Sequence, residues 1–167
     1  HECSSAASDV YKRQVMYQKK FSKEKFKIFH PGGNIGNSLL LAKDIMLVKE
    51  KIPVINYKES FKKALKIMNE KKLGVVVILK NKFIFGILTD GDLRRELKRR
   101  ENPNNFQKYM TKNPYAVNVN MPASKLLAIM NEKKVTSLLV VNDKDLNKKN
   151  KKIVGIIHIH SLLKKGF

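Results

Sequence analysis

The chain has 167 residues, of which 35 are Lys or Arg and 14 are Asp or Glu, so its formal net charge is +21. This length allows one or two small domains, and an apolar fraction of 43% excludes a wholly disordered chain. The single cysteine, Cys3, excludes an internal disulfide framework, which fits a reducing cytoplasm. The absence of a long uncharged apolar run predicts no membrane partner.

The positive charge raises the question of a nucleic-acid partner, because clustered cations bind polyphosphates. The cations of this chain are mostly lysines and are scattered over every predicted element. We therefore interpret them as surface composition and expect no nucleic-acid partner.

Residues 1–14 are predicted to be a non-native head. The string DVYKRQ at residues 9–14 matches the translation of a transposon end used in preparing sequencing libraries, and the chain begins with His1. We expect native sequence to continue upstream of Val15.

Residues 22–29 are predicted to form a helix that Pro31 stops, and the string HPGGNIG follows at residues 30–36. Local physical chemistry favours His30 as a residue at the C-terminal end of that helix, interacting with its last carbonyl groups.

Two copies of one unit occupy the rest of the chain. The string IMNEKK occurs at residues 67–72 and again 62 residues later, at 129–134. Around both strings apolar residues recur at i, i+3, i+4 and i+7, which predicts two amphipathic helices. These residues are Phe61, Ala64, Leu65 and Met68 in the first copy, and Ala123, Leu126, Leu127 and Met130 in the second.

Each helix is followed by two predicted strands and another helix. The strands cover residues 75–79 and 83–88 in the first copy, and residues 138–141 and 153–158 in the second. Gly86 and Gly155 hold matching places in the second strand, where backbone can closely approach a neighbour or a ligand. Since about 60 residues bury little surface alone, we expect the copies to pack face to face as a pseudo-twofold pair.

The sequence GILTDGDLRR at residues 86–95 joins a strand to a helix and places Thr89 three residues before Asp92. One interpretation is a capping box between these two side chains. The other is a ligand site, in which Thr89 and free helix N–H groups hold a phosphate and Asp92 accepts from ribose hydroxyls. Arg94 or Arg95 would then offset the anion. The spacing supports both interpretations equally.

This junction resembles the G-x-x-T-x-x-D motif of the cystathionine-β-synthase-like (CBS) domain, which is the adenine-nucleotide site in many members. The resemblance implies an α/β (α+β) fold, in which a tandem CBS pair has residues 43–105 as its first motif and residues 106–167 as its second. The nucleotide-binding residues that it implies are Gly86, Thr89, Asp92 and Arg94.

The second copy departs from the motif, because His158 stands in place of the threonine and Ser161 in place of the aspartate. We interpret Ser161 as the cap of the last helix. His158 and His160 are expected on one face of a strand, but they have no acidic or cysteine partner nearby in sequence, so we expect no metal site.

Three strings, FHPGGNIGNSLLLAKDIM, LTDGDLRREL and IHIHSLLKKGF, make residues 15–167 similar to the C-terminal part of the sugar-isomerase (SIS) type of D-arabinose 5-phosphate isomerases. The resemblance implies conversion of D-ribulose 5-phosphate to D-arabinose 5-phosphate for Kdo and lipopolysaccharide synthesis. It also implies that residues 15–42 are the helical tail of a SIS domain and that His30 is catalytic. A histidine with a near-neutral pKa suits the proton transfers of this isomerisation. Because the family's other catalytic groups lie upstream, we expect the chain alone to be inactive.

Three hypotheses remain, in this order: the regulatory CBS pair of a sugar-phosphate isomerase, a stand-alone CBS pair that senses adenine nucleotides, and a basic nucleic-acid binder. The HPGG string favours the first over the second. We expect no cofactor apart from a regulatory nucleotide, a sugar phosphate as substrate of the full-length protein, and a homo-oligomer.

Overall fold

The computed structural model of the chain describes residues 39–99 and 103–167. The predicted head, the predicted helix at residues 22–29 and His30 lie outside the described residues. The described helices are α1 (Ala42–Ile45), α2 (Phe61–Lys71), α3 (Asp90–Arg99), α4 (Ala123–Lys133) and α5 (Ile159–Lys164), with short 3-10 turns at Lys49–Lys51, Pro103–Lys108 and Asp143–Asp145. The strands are β1 (Val54–Asn56), β2 (Val75–Lys80), β3 (Phe83–Thr89), β4 (Thr111–Lys112), β5 (Ala116–Asn118), β6 (Ser137–Val141) and β7 (Ile153–His158).

The strands form two sheets of the same design, which confirms the predicted mixed α/β fold and its repeat. The first sheet has the order β1-β2-β3-β4 and the second β5-β6-β7. In each sheet the first strand runs parallel to the second, and the second runs antiparallel to the third. The register even shifts at equivalent places, between Ile78 and Leu79 in one sheet and between Val140 and Val141 in the other.

The helices α2 and α4 confirm the predicted periodicity, since each buries one apolar side that includes Met68 or Met130. The repeated string IMNEKK also ends both helices in the same way. Lys72 and Lys134 follow the last helical residues in the left-handed conformation, each with φ of 55°. A left-handed residue at this place closes a helix by returning its N–H to the last turn.

The two sheets face each other, as the sequence predicted. Val75 and Val77 of β2 belong to one apolar cluster with Leu139 of β6 and Ile156 of β7, so this cluster joins both copies. The alternate residue Val76 points to the other side of its sheet, into the core formed with α2. The central strands are therefore buried on both faces, which explains why their sequences are continuous apolar runs.

The segment that precedes the first paired strand of each copy, β1 or β5, packs on the other copy. Before the first copy, Ala42 N–H donates to the carbonyl of Met121 at 2.8 Å, and Leu47 exchanges two backbone hydrogen bonds with Ile156 at 2.8 and 3.0 Å. Before β5 of the second copy, the buried Phe106 joins the core of the first copy, and β4 pairs with β3. Residues that follow the predicted boundary between residues 105 and 106 therefore pack on the first copy.

Gly86 and Gly155 make this exchange sterically feasible. A Cβ atom on Gly155 would lie 2.3 Å from Sδ and 2.9 Å from Cβ of Met46. A Cβ atom on Gly86 would lie 2.8 Å from the carbonyl oxygen of Thr111 and 2.9 Å from Sδ of Met110. The close approach predicted for both glycines is present, and the neighbour in each case is the exchanged segment.

Gly155→Ala is expected to destabilise the protein by about 1–3 kcal/mol, because Met46 must move away from β7 to admit the new methyl group. The matched control is Gly91→Ala, where the nearest atom to the new Cβ is Oγ1 of Thr89 at 3.7 Å. Urea denaturation followed by circular dichroism measures both variants. Equal midpoints for the two variants would contradict the role assigned to Gly155.

Candidate functional site

The candidate site is the junction where β3 ends at Thr89 and α3 begins at Asp90. The loop between α2 and β2 anchors this junction from the side, since Asp90 N–H donates to the carbonyl of Gly74 at 3.0 Å. Gly74 has a φ of +66°, which glycine adopts without strain. Thr89 also pairs with Val75 in the sheet, so the backbone of the junction is fixed on two sides.

Thr89 and Asp92 form the capping box that their spacing predicts. Asp92 N–H donates to Oγ1 of Thr89 at 3.1 Å, while Thr89 N–H donates to Oδ2 of Asp92 at 2.9 Å. The hydroxyl of Thr89 donates to the same Oδ2 at 2.8 Å. Two backbone N–H groups at the start of α3 are satisfied in this way.

Arg95 completes the surroundings of the Asp92 carboxylate. Asp92 is only 5% exposed, and its Oδ1 accepts a hydrogen bond from the Arg95 guanidinium. The Arg95 side chain itself is 68% exposed. Because a carboxylate oxygen has two lone pairs, Oδ1 retains room for one further donor.

The other two predicted site residues lie apart from this pair. Arg94 points away, with 79% of its side chain exposed and its guanidinium 3.7 Å from the carboxylate of Asp90. Gly86 is buried against Met110 and Thr111, so packing accounts for it without a ligand. Arg95, which the sequence offered as the alternative to Arg94, is the cation at Asp92. The i,i+3 spacing between Asp92 and Arg95 was the signal for this contact.

The equivalent junction of the second copy is capped by a different group. His158 is 4% exposed, and its Nδ1 accepts from the N–H of His160 at 3.2 Å. Since α5 begins at Ile159, Ser161 lies inside that helix, and our prediction that Ser161 caps it is wrong. The placement of His160 on a strand is wrong for the same reason. The two imidazole rings lie 4.9 Å apart.

The described residues contain neither a metal-binding cluster nor a membrane-spanning helix. Within residues 39–99 and 103–167, no group of three or more His, Cys, Asp or Glu side chains is placed to hold a metal ion. No helix in that part of the chain is long and apolar enough to cross a membrane.

The sequence signature of the CBS domain matches residues 42–99 and 106–166. The chain is 37% identical to the uncharacterised protein RP505 of Rickettsia prowazekii over 159 residues, which cover 95% of this chain and 48% of the relative. It is 32% identical to the arabinose 5-phosphate isomerase KdsD of Francisella tularensis, with 90% of this chain and 45% of the relative covered. The chain thus spans about half the length of these curated relatives.

Among solved structures, the CBS domain pair of protein MJ0100 has the same fold. Its complex with 5′-methylthioadenosine and S-adenosyl-L-methionine superposes with a TM-score of 0.65 at 20% sequence identity. The superposition covers 76% of this chain and 95% of that one.

Thr89→Ala is expected to destabilise the protein by about 0.5–2 kcal/mol, because Asp92 N–H loses its acceptor and the carboxylate loses a donor. Thr89→Ser keeps the hydroxyl and is the matched control, expected to retain most of the stability. Urea denaturation measures both variants. Equal losses in the two variants would show that the hydroxyl contributes nothing to the junction.

Proposed function

Because the chain belongs to the CBS domain family and carries two copies of that domain, we propose that it is the regulatory C-terminal pair of a D-arabinose 5-phosphate isomerase. The full-length protein would convert D-ribulose 5-phosphate to D-arabinose 5-phosphate in the cytoplasm, as a homo-oligomer. The first copy would bind an adenine nucleotide, and occupancy of that site would regulate the isomerase.

The isomerase proposal is supported by sequence. The HPGGNIG string at residues 30–36 precedes the pair. The relative from Francisella tularensis, which aligns with 90% of this chain, is named as an arabinose 5-phosphate isomerase. This chain covers 45% of that relative. Such partial coverage is expected if the chain is the regulatory portion and lacks the catalytic domain. In this proposal His30 is the one catalytic residue that the chain carries.

One observation carries the nucleotide proposal: a carboxylate that is 5% exposed lies beside a hydroxyl at the start of a helix. Among the contacts of the described residues, Oδ1 of Asp92 accepts one hydrogen bond, which leaves it acceptor capacity for a ribose hydroxyl. The exposed guanidinium of Arg95, beside that carboxylate, would pair with a phosphate. The solved pair with the same fold was crystallised with two adenosine compounds, which supports an adenosine-type ligand here.

A stand-alone nucleotide sensor is the second candidate. The observation in its favour is that residues 39–99 and 103–167 already form two complete sheets with a shared core. The solved pair from protein MJ0100 is covered over 95% of its length by this chain. Both candidates share the ligand site, so they differ only in whether the pair is attached to an isomerase.

AMP is expected to raise the melting temperature of the protein and to lose this effect in Asp92→Asn. At a hundredfold excess over its dissociation constant, a ligand stabilises by about 2.7 kcal/mol, which corresponds to roughly 5–10 °C for a chain of this size. A thermal-shift screen with AMP, ATP and CMP-Kdo compares the melting temperature of each variant with and without ligand. The destabilisation caused by losing the helix cap affects both measurements and therefore does not contribute to the difference.

Asp90→Asn is the matched control for that screen. It removes a carboxylate from the same helical turn, but 61% of the Asp90 side chain is exposed and its guanidinium partner lies at 3.7 Å. We expect this control to keep the shift of the unaltered protein. A shift that persists in Asp92→Asn would reduce Asp92 to a helix cap.

The chain alone is expected to show no turnover of D-ribulose 5-phosphate, whereas the same chain joined to its native upstream sequence isomerises it. A coupled assay for D-arabinose 5-phosphate distinguishes the two proteins. His30→Ala in the longer protein is expected to abolish turnover while leaving the AMP shift intact. Turnover by the 167-residue chain would refute the proposal that catalysis requires residues upstream of it.

A further inference from the structure

The connection between β6 and β7 has no counterpart in the first copy. Residues 81 and 82 alone join β2 to β3, whereas residues 142–152 join β6 to β7. The longer connection is nevertheless ordered by its own hydrogen bonds. Asp143–Asp145 form a 3-10 turn, and Lys148 N–H donates to the carbonyl of Asp145 at 3.1 Å.

A buried carboxylate anchors this connection. Asp145 is 6% exposed, and Nζ of Lys148 donates to its Oδ1 at 2.9 Å. The far end of the connection returns to the first copy, where Ile84 N–H donates to the carbonyl of Lys151 at 2.9 Å. The connection is therefore braced internally by Asp145 and Lys148 and is tied to the start of β3 near its far end.

A surface pocket of about 350 Å³ lies between this connection and β3. This volume is at the lower end of the range for small-molecule sites. The residues that line it are Phe83, Lys144, Asp145, Lys148, Asn150 and Lys152.

Three lysines and one carboxylate line this pocket. The hydrogen bond from Lys148 holds the pKa of Asp145 below its usual value, and burial opposes that shift. The charges of Lys144 and Lys152 lower the same pKa further, and both residues line the pocket together with Asp145. Three positive charges against one negative charge leave the pocket with an excess of two, so it attracts a doubly charged anion.

We propose that this pocket binds the phosphate group of a small phosphate monoester. Such a group carries a charge of about −1.5 to −2 at pH 7, which matches the excess. Lys144 and Lys152 supply the charge, and the amide of Asn150 can donate to the ester. The Phe83 ring, with Nζ of Lys152 at 5.8 Å from its centroid, forms a flat wall for the rest of the ligand.

Two sources of this chemistry are compatible with the pocket. A sugar phosphate would place its ring carbons on Phe83, and a nucleoside monophosphate would stack its base there. Ribose 5-phosphate and AMP separate these sources, because only AMP gains from stacking. Inorganic phosphate tests the charge alone.

The experiment is a titration of the 167-residue chain with inorganic phosphate, then with ribose 5-phosphate and AMP, at an ionic strength held constant with sodium chloride. Amide shifts in ¹⁵N–¹H spectra report the site, and we expect them at residues 143–152. The double variant Lys144→Gln/Lys152→Gln is expected to bind phosphate at least tenfold more weakly.

The matched control is Lys62→Gln/Lys125→Gln, which removes the same charge from two exposed positions on α2 and α4. It is expected to change the affinity less than threefold. Equal weakening in both double variants, or no shift at residues 143–152 with any of the three probes, would overturn the proposal. AMP shifts at Thr89 and Asp92 are read separately, so failure at one site is distinguishable from failure at the other.

Discussion

The close approach of Met46 to Gly155 and of Met110 to Gly86 holds the two copies in one folded unit. Each methionine belongs to the segment before one copy and packs against a strand of the other, at a distance that a Cβ atom would not permit. Neither copy therefore has a complete core on its own. A change that pushes one segment away exposes apolar surface on both copies at once, which ties their stabilities together.

This exchange also fixes the candidate ligand site. Thr89 lies three residues after Gly86 on β3, and β3 is held by β2 on one side and by β4 on the other. With its backbone fixed, Thr89 presents its hydroxyl and N–H to Asp92 without reorganisation. The carboxylate is thus oriented by buried neighbours, whereas its partner Arg95 has a side chain that is 68% exposed.

The sequence was informative where structure depends on neighbours along the chain. Periodicity located α2 and α4, and the spacing of Thr89 and Asp92 predicted their capping box, because both depend on contacts within two helical turns. The exchange of segments depends on contacts between residues well outside one helix or hairpin, such as Gly86 with Met110 and Gly155 with Met46. The glycines in the sequence indicated a close approach but not which segment makes it. The cap of α5 was missed because His158 replaces a hydroxyl with a ring nitrogen, which the usual capping preferences do not include.

The two proposed anion sites lie at opposite ends of β3, Phe83 at its start and Thr89 at its end. At about 3.4 Å per residue, six steps along the strand separate them by roughly 20 Å, too far for one small ligand to span. β3 joins the two sites directly, and its centre is clamped at Gly86 by Met110 and Thr111. A clamped strand transmits little displacement, since coupling requires an element with two arrangements. Coupling along β3 therefore requires the clamp itself to open.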